Sequence, residues 1–371
     1  MAELRVGMAG LGAAAKLVLP YFGKVEGVRL AGAADIRAEA RAEFAARYRL
    51  PAFASVEELV RAPDIDAVWV ETPNRLHSEH TILAARHGKH VICAKPLATS
   101  LAECDAMIAA ARKAGVQLMV GHSKVFDAPI RAMADIVKSG RLGRVIQIDT
   151  WLYNDWLRRP RLAEELDESL GAGFILRQAP HLVDIANSIV ETRPATVRAA
   201  TGRWDANLPC DGNAAVLIRY EGGAFANLSL NGYGYFDGSE LTFGIGGMGE
   251  TRATGAGPRK RSGPLDTSEK YGAPTPTRLQ GEAQPFFGLT VVSCERGVMR
   301  QSPQGLFVYT DEGREEIAVP PYVGRAAELI ELRDALRGAR DVSPDGAWGK
   351  QTLAVCLAIL RSSREGKDVA V

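Results

Sequence analysis

Apolar and polar residues alternate along this chain in two different rhythms. In the first third, short apolar runs are each bounded by turn residues: Leu4 to Ala9, Val28 to Ala34, Ala67 to Val70, His90 to Cys93 and Gln117 to Gly121. Runs of that length and bounding predict buried strands. Between them lie stretches with apolar positions at helical spacing. These run from Gly12 to about Phe22, from Arg37 to Tyr48, Val56 to Arg61, Leu76 to His87 (closed by Gly88) and Ser100 to Ala114. Strand and helix in alternation predict parallel strands joined by right-handed crossovers. From about Val145 the period falls to two. Val145 to Tyr153, Ala195 to Thr201, Ala214 to Tyr220, Phe225 to Leu230, Glu240 to Gly244, Leu289 to Cys294, Gly297 to Gln301 and Leu306 to Thr310 read as strands in series. Such a series predicts an open, mostly antiparallel sheet. One helix, Ala179 to Val190, is embedded among them, and Ala326 to Arg337 and Trp348 to Arg364 end the chain as helices. Gly255 to Pro285, rich in Gly, Pro and polar residues, reads as a mobile functional loop or a disordered insert.

The first strand runs directly into Gly10-Leu11-Gly12-Ala13-Ala14-Ala15, which opens a helix. This is a dinucleotide fingerprint with Ala15 in its third place. Gly10 makes the tight turn, and Gly12 lets backbone N–H groups approach a pyrophosphate. The second strand ends at Asp35, 20 residues after Ala15. An acid there accepts from the adenosine ribose and favours NAD, while Arg37 could reach the extra phosphate of NADP. The expected fold class is therefore α/β. A Rossmann doubly wound parallel sheet spans residues 1–124, and an α+β domain with the antiparallel sheet spans 125–371.

Ligands of parallel sheets sit at the carboxyl ends of the strands. Glu71-Thr72-Pro73-Asn74, Ala94-Lys95-Pro96 and Gly121-His122 fall there. Pro96 restricts the chain just after a buried strand and aims Lys95 across the strand ends, where an ammonium can donate to a substrate oxygen. The second chemical stretch is Gly171-Ala172-Gly173-Phe174-Ile175-Leu176-Arg177-Gln178-Ala179-Pro180-His181-Leu182-Val183-Asp184. Arg177, His181 and Asp184 are spaced four and three apart, which puts them on one face of a helix. Asp184 can fix the tautomer of His181, and Arg177 can keep it neutral enough to act as a base.

Composition removes several alternatives. Lys and Arg number 45 against 44 Asp and Glu, so nothing demands nucleic acid or an anionic membrane. No run of apolar residues is long enough to span a bilayer. The five cysteines are scattered and never form Cys-x-x-Cys, which reads as reduced thiols. With no apolar signal core ahead of the first strand, the expected location is the cytoplasm. His77, His80, His87 and His90 crowd one region, but no carboxylate or Cys completes a ligand set with His77 and His80, so no metal is expected.

The fingerprint, Asp35, Thr72-Pro73-Asn74-Arg75-Leu76-His77, Lys95-Pro96 and Gly171 to Asp184 occur in the order seen in the glucose–fructose oxidoreductase/inositol dehydrogenase (Gfo/Idh/MocA) family. The chain resembles that family along nearly its whole length. The resemblance implies that Lys95 and His181 flank the substrate, with Asp184 as the acid after the His. It also implies a nicotinamide dinucleotide held by Gly10, Leu11, Gly12, Ala13, Ala14, Asp35, Ile36, Arg37, Thr72, Pro73, Asn74, His77 and Lys95. Substrate contacts are implied for His122, Trp156, Arg158, Arg159 and Arg177. Two positions depart from the pattern. Ala94 replaces the Glu of Glu-Lys-Pro, and Arg177 replaces an Asp four residues before the His.

Trp151 to Arg161, Glu164 to Asp167, Gln284-Pro285-Phe286-Phe287-Gly288-Leu289-Thr290, Ser293-Cys294-Glu295 and Arg300-Gln301-Ser302-Pro303 are similar to the phthalate 4,5-cis-dihydrodiol dehydrogenase branch. For Arg158, Arg159 and Arg161, pairing with a substrate carboxylate competes with pairing to nearby Glu164, Glu165, Asp167 or Glu168. For Arg177 the substrate is favoured, because an Arg buried in an apolar run needs an anion. The expected reaction is oxidation of a carboxylated cyclic alcohol, an aromatic cis-dihydrodiol giving a catechol. A sugar or inositol dehydrogenase and a non-catalytic dinucleotide sensor are the other two readings. A homodimer or homotetramer through the C-terminal sheet is also expected.

Overall fold

The computed structural model describes residues 3–253, 255, 281 and 283–371. Most of the Gly255–Pro285 insert, with Arg259-Lys260-Arg261, lies outside the described residues. The chain divides into two compact units. The first runs to His122 and also takes in Arg325–Leu353, which a linear division at 124/125 leaves with the second domain.

In the first unit, β1 (Leu4–Ala9), β2 (Val28–Ala34), β3 (Ala52–Phe53), β4 (Ala67–Val70), β5 (His90–Ala94) and β6 (Leu118–Gly121) form a wholly parallel sheet in the order β3-β2-β1-β4-β5-β6. The central strands are buried on both faces, which is why they read as unbroken apolar runs. The helix Leu101–Ala114 starts where Ser100 and Glu103 form a capping box and ends at Gly115 in the left-handed region. The C-terminal part of the unit is tied to β6 and its flanking helix. Val120 N–H donates to the Pro344 carbonyl at 3.0 Å, and Lys350 pairs with Asp105 at 2.6 Å.

In the second unit, β7 (Val145–Tyr153), β8 (Pro194–Gly202), β9 (Asn213–Tyr220), β10 (Phe225–Asn231), β11 (Leu289–Cys294), β12 (Gly297–Ser302), β13 (Gly305–Thr310), β14 (Gly313–Ala318) and β15 (Val369–Ala370) make one sheet. Its order is β14-β13-β12-β11-β7-β10-β9-β8-β15, with β7 and β10 parallel and the remaining pairs antiparallel. The helix Gly173–Ile189 lies between this sheet and the helix Ala128–Lys138, so nearly all its residues are buried.

Three local expectations need correction. Glu240 to Gly244 is not a strand. Asp237 accepts from Ser239 N–H at 2.9 Å to open a 3-10 turn over Gly238–Leu241, and Phe243 and Gly244 take φ of 59° and 70°. Strand backbone does not enter that region. The embedded helix starts at Gly173 rather than Ala179 and carries Pro180 in its interior. The third is an omission. β14 was not foreseen because Arg314, Glu315 and Glu316 give it a polar, exposed profile. It is an edge strand, where charge is tolerated and protects against edge-to-edge pairing.

Candidate active site

In the first unit the strand order reverses its sense at β1 and β4, so the crevice at their carboxyl ends is the natural ligand site. Gly10 stands there with φ 93° and donates its N–H to the Ala34 carbonyl at 2.8 Å. A Cβ on Gly10 would lie 2.8 Å from the Glu71 carbonyl oxygen and 3.1 Å from Thr72 N. The fingerprint turn and the Thr72 turn therefore close on each other only because residue 10 is glycine. Gly12 caps the helix Ala13–Val18 with no side chain bonded to its first turn, and Ala13 and Ala14 are exposed.

Asp35 is held by four donors. Its carboxylate accepts from Leu11 N–H at 2.8 Å, from Arg37 N–H at 2.9 Å, and from the Arg37 guanidinium at 3.0 and 2.9 Å. Burial works against its charge, but these bonds outweigh burial and hold Asp35 below the usual carboxylate range. Asp35 and Arg37, which point to opposite cofactors when read singly, form one ion pair at the edge of the crevice. Ile36 between them is 89% exposed.

His77 is buried with Nδ1 2.8 Å from the Pro96 carbonyl and Nε2 2.9 Å from the Thr72 carbonyl. It links the two strand-end turns. Thr72 Oγ1 also meets His80 Nδ1 at 3.0 Å. Lys95 follows β5 in a cis Lys95–Pro96 peptide, and His122 follows β6 and is buried. Beside Glu71 lies a charged cluster that sequence reading missed. Trp69 Nε1 donates to Glu71 at 3.1 Å, and Arg325 reaches Glu71 at 3.5 Å and Glu328 at 2.6 Å. Glu71 and Arg325 are 254 residues apart in sequence, so no local signal could have joined them.

In the second unit the helix Gly173–Ile189 carries Arg177, His181 and Asp184. Gly173 has φ 84°, and a Cβ there would sit 2.8 Å from Glu168 Cγ, which explains the glycine that opens the helix. Asp184 is fully buried, and His181 is 9% exposed. Burial first, with the Asp184 charge second, pushes the Tyr220 phenol upward, while its hydroxyl donates to Asn187 at 2.9 Å. The His181 ring packs against Phe287, centroids 4.5 Å apart.

The arginines have partners within the unit. Arg159 pairs with Asp155 at 2.5 Å rather than with Glu164, Glu165, Asp167 or Glu168, the acids expected from sequence. Arg158 donates through Nε to the Tyr233 carbonyl and lies 4.4 Å over the Tyr235 ring. Arg161 stacks 4.0 Å over Trp156 and reaches Glu165 at 3.8 Å, and burial lowers its pKa to about 10. Trp156 is itself buried against Phe174, so its faces are taken by the core and by Arg161. Arg177 reaches the same Glu165 at 4.0 Å with its side chain 29% exposed. Gln178, beside Arg177, accepts from Asn154 at 3.2 Å. Sequence reading did not single out Lys124 or Asp127. It noticed Phe287 only as part of a segment resembling one branch, without a role.

Among the described residues no group of three or more His, Cys, Asp or Glu is placed to hold a metal, and no helix is long and apolar enough to cross a membrane.

Comparison with known proteins gives the geometry a context. Residues 4–122 match the model of an oxidoreductase family with an NAD-binding Rossmann fold, and residues 130–247 match the GFO/IDH/MocA C-terminal domain. The chain is 32% identical to the 1-carboxy-3-chloro-3,4-dihydroxycyclo hexa-1,5-diene dehydrogenase of Comamonas testosteroni, over 97% of this chain and 95% of that protein. It is 29% identical to the 1,5-anhydro-D-fructose reductase of Ensifer adhaerens, over 85% of this chain and 83% of the other. Among solved structures, a protein from Bordetella bronchiseptica RB50 superposes with a TM-score of 0.93 at 36% identity over the whole of both chains.

Proposed function

The chain belongs to the Gfo/Idh/MocA family of NAD-dependent oxidoreductases, and on that premise we propose that it oxidises a secondary alcohol of a carboxylated cyclic substrate, with an aromatic cis-dihydrodiol as the specific candidate. The observation that carries the choice of an anionic substrate is the placing of Arg177. It stands four residues before His181 on one helix, with its side chain partly open to solvent. A guanidinium so placed can take a carboxylate in a bidentate pair. Full-length similarity to a dehydrogenase named for a carboxylated cyclohexadiene diol supports the same reading.

The cradle at the ends of β1 and β4 suits a dinucleotide, since Gly10 lets the fingerprint turn close on the Thr72 turn and no side chain caps the first turn of the helix Ala13–Val18. Gly10 to Ala14, Asp35, Ile36, Arg37, Thr72, Pro73, Asn74 and Lys95 would hold it, with His77 fixing the Thr72 and Pro96 turns. When bound, the nicotinamide supplies the acceptor for the carbinol hydride. His181 takes the hydroxyl proton, and buried Asp184 one turn further on favours the charged imidazole that results. Lys95 donates to the oxygen as negative charge develops on it. For a cis-dihydrodiol, gain of aromaticity drives the oxidation forward.

The test is NAD reduction with a dihydroxy-cyclohexadiene carboxylate and with a panel of neutral polyols. His181→Asn should lower kcat by about a thousandfold while leaving NADH binding intact. Turnover of polyols in preference to the diol carboxylate would favour the sugar dehydrogenase reading. Full activity in His181→Asn would remove that residue from the chemistry.

A further inference from the structure

Beside the ring that packs on His181 lies a buried charge that the reaction does not use. Lys124, in the 3-10 turn Ser123–Phe126, is 6% exposed. Its Nζ donates to the Gly247 carbonyl at 2.8 Å and pairs with Asp127 at 3.3 Å. The same ammonium lies 5.5 Å from the centroid of Phe287 and 5.9 Å from that of Tyr322. Phe287 is thus flanked by a cation and by the imidazole 4.5 Å away. Taking a lysine and a carboxylate out of water is costly, and an exposed pair would serve the surface equally well.

Three features give the arrangement direction. Gly247 and Phe287 belong to separate loops, and Lys124 grips the first through its carbonyl and the second through its ring face. Phe287 belongs to Gln284–Thr290, the segment that sequence reading singled out without finding a task for it. Covering one side of an imidazole with an aromatic ring removes water from it, which disfavours the charged form.

We propose that Lys124 is a positioning residue for His181, acting through Phe287, and that Phe287 covers the imidazole so that it is neutral when substrate arrives. The inference rests on the reading of His181 as the base. The other groups around that helix are Arg177 and Asp184 on its own length, Glu165 beside Arg177, Tyr220 near Asp184, and Asp127 beside Lys124. Arg177 acts in the same sense as Lys124, and the acids oppose it. Burial raises the pKa of Asp127 to about 6 despite the neighbouring Lys124 ammonium. Its charge therefore depends on that partner.

The primary measurement needs no substrate. Histidine-selective labelling of the full chain lets the imidazoles be titrated by NMR, and His181→Asn identifies the signal among six histidines. Phe287→Leu and Lys124→Met should each raise the His181 midpoint by roughly half to one pH unit. Lys124→Arg should leave it in place. The acidic limb of kcat/KM should move with the midpoint, a change that loss of packing alone does not produce. If Lys124→Met fails to fold because Asp127 is left alone, Lys124→Met/Asp127→Asn removes both charges and carries the test. An unmoved His181 midpoint in folded Phe287→Leu and in the folded lysine variant would overturn the proposal. Shifted midpoints with no turnover of any diol or polyol would uphold it and sink the functional reading instead.

Discussion

At the strand ends of the first unit, the side chains assigned to the cofactor are tied largely to backbone. Asp35 accepts from the amides of Leu11 and Arg37, His77 bridges the carbonyls of Thr72 and Pro96, and Gly10 is defined by the main chain it nearly touches. Around the helix Gly173–Ile189 the ties run mostly between side chains. Arg159 pairs with Asp155, Arg161 and Arg177 share Glu165, Asn154 meets Gln178, and His181 packs on Phe287. A backbone-tied site constrains few residue types but constrains them strictly. A site tied through side chains can be rebuilt residue by residue, which would suit the substrate-facing role proposed above for this region.

That contrast can be broken from either side. The largest effect should come from Gly10→Ala, because the added carbon meets backbone that cannot move aside and the residue is held at positive φ. NADH affinity should fall at least a hundredfold, about 3 kcal/mol, by fluorescence titration. A fall of less than tenfold would show that the two turns yield. Next is Glu165→Gln, which keeps the shape and the bond from Leu162 N–H but leaves the Arg161 and Arg177 guanidiniums beside an uncharged amide. Denaturant unfolding should record a loss of about 2–3 kcal/mol, as for a buried charge stripped of its partner. NADH affinity should be unchanged. Equal loss of both would erase the distinction between the regions.

The smallest effect is expected for Asp35→Asn. It weakens the hold on Leu11 and Arg37, and should cost about tenfold in NADH affinity and about 1 kcal/mol in stability. The pH dependence has a definite sign. Asp35 titrates lower in the folded chain than in the unfolded one, so its contribution is complete above the ordinary carboxylate range. That contribution is lost as the pH falls through the folded value. Wild type and Asp35→Asn should therefore converge in stability on acidification, and a constant gap between their unfolding curves would contradict the ion pair.

Much of the candidate site rests on signals that lie in the sequence itself. Gly10, Asp35, Lys95 and the spacing of Arg177, His181 and Asp184 are local patterns, each a few residues long and each bound to a specific backbone task. The alternation of strands and helices likewise gave the parallel sheet, because burial on two faces leaves an unmistakable apolar run. Among what escaped, besides the helix Ala128–Lys138, were two elements with a clear physical reason. The turn at Gly238–Leu241 was read as a strand because composition does not report the sign of φ at Phe243. β14 was hidden because an edge strand obeys the demands of solvent rather than those of a core.

The amino-acid order by itself determined the family resemblance, the parallel sheet and the Gly10 fingerprint turn, since these depend on short-range geometry that residue type dictates. Only the tertiary structure decided which charges belong together: Glu71 and Glu328 on Arg325, Glu165 between Arg161 and Arg177, and Lys124 beside Phe287, which packs on His181. A charge selects its partner by distance in space, and that distance exists only after the chain has folded.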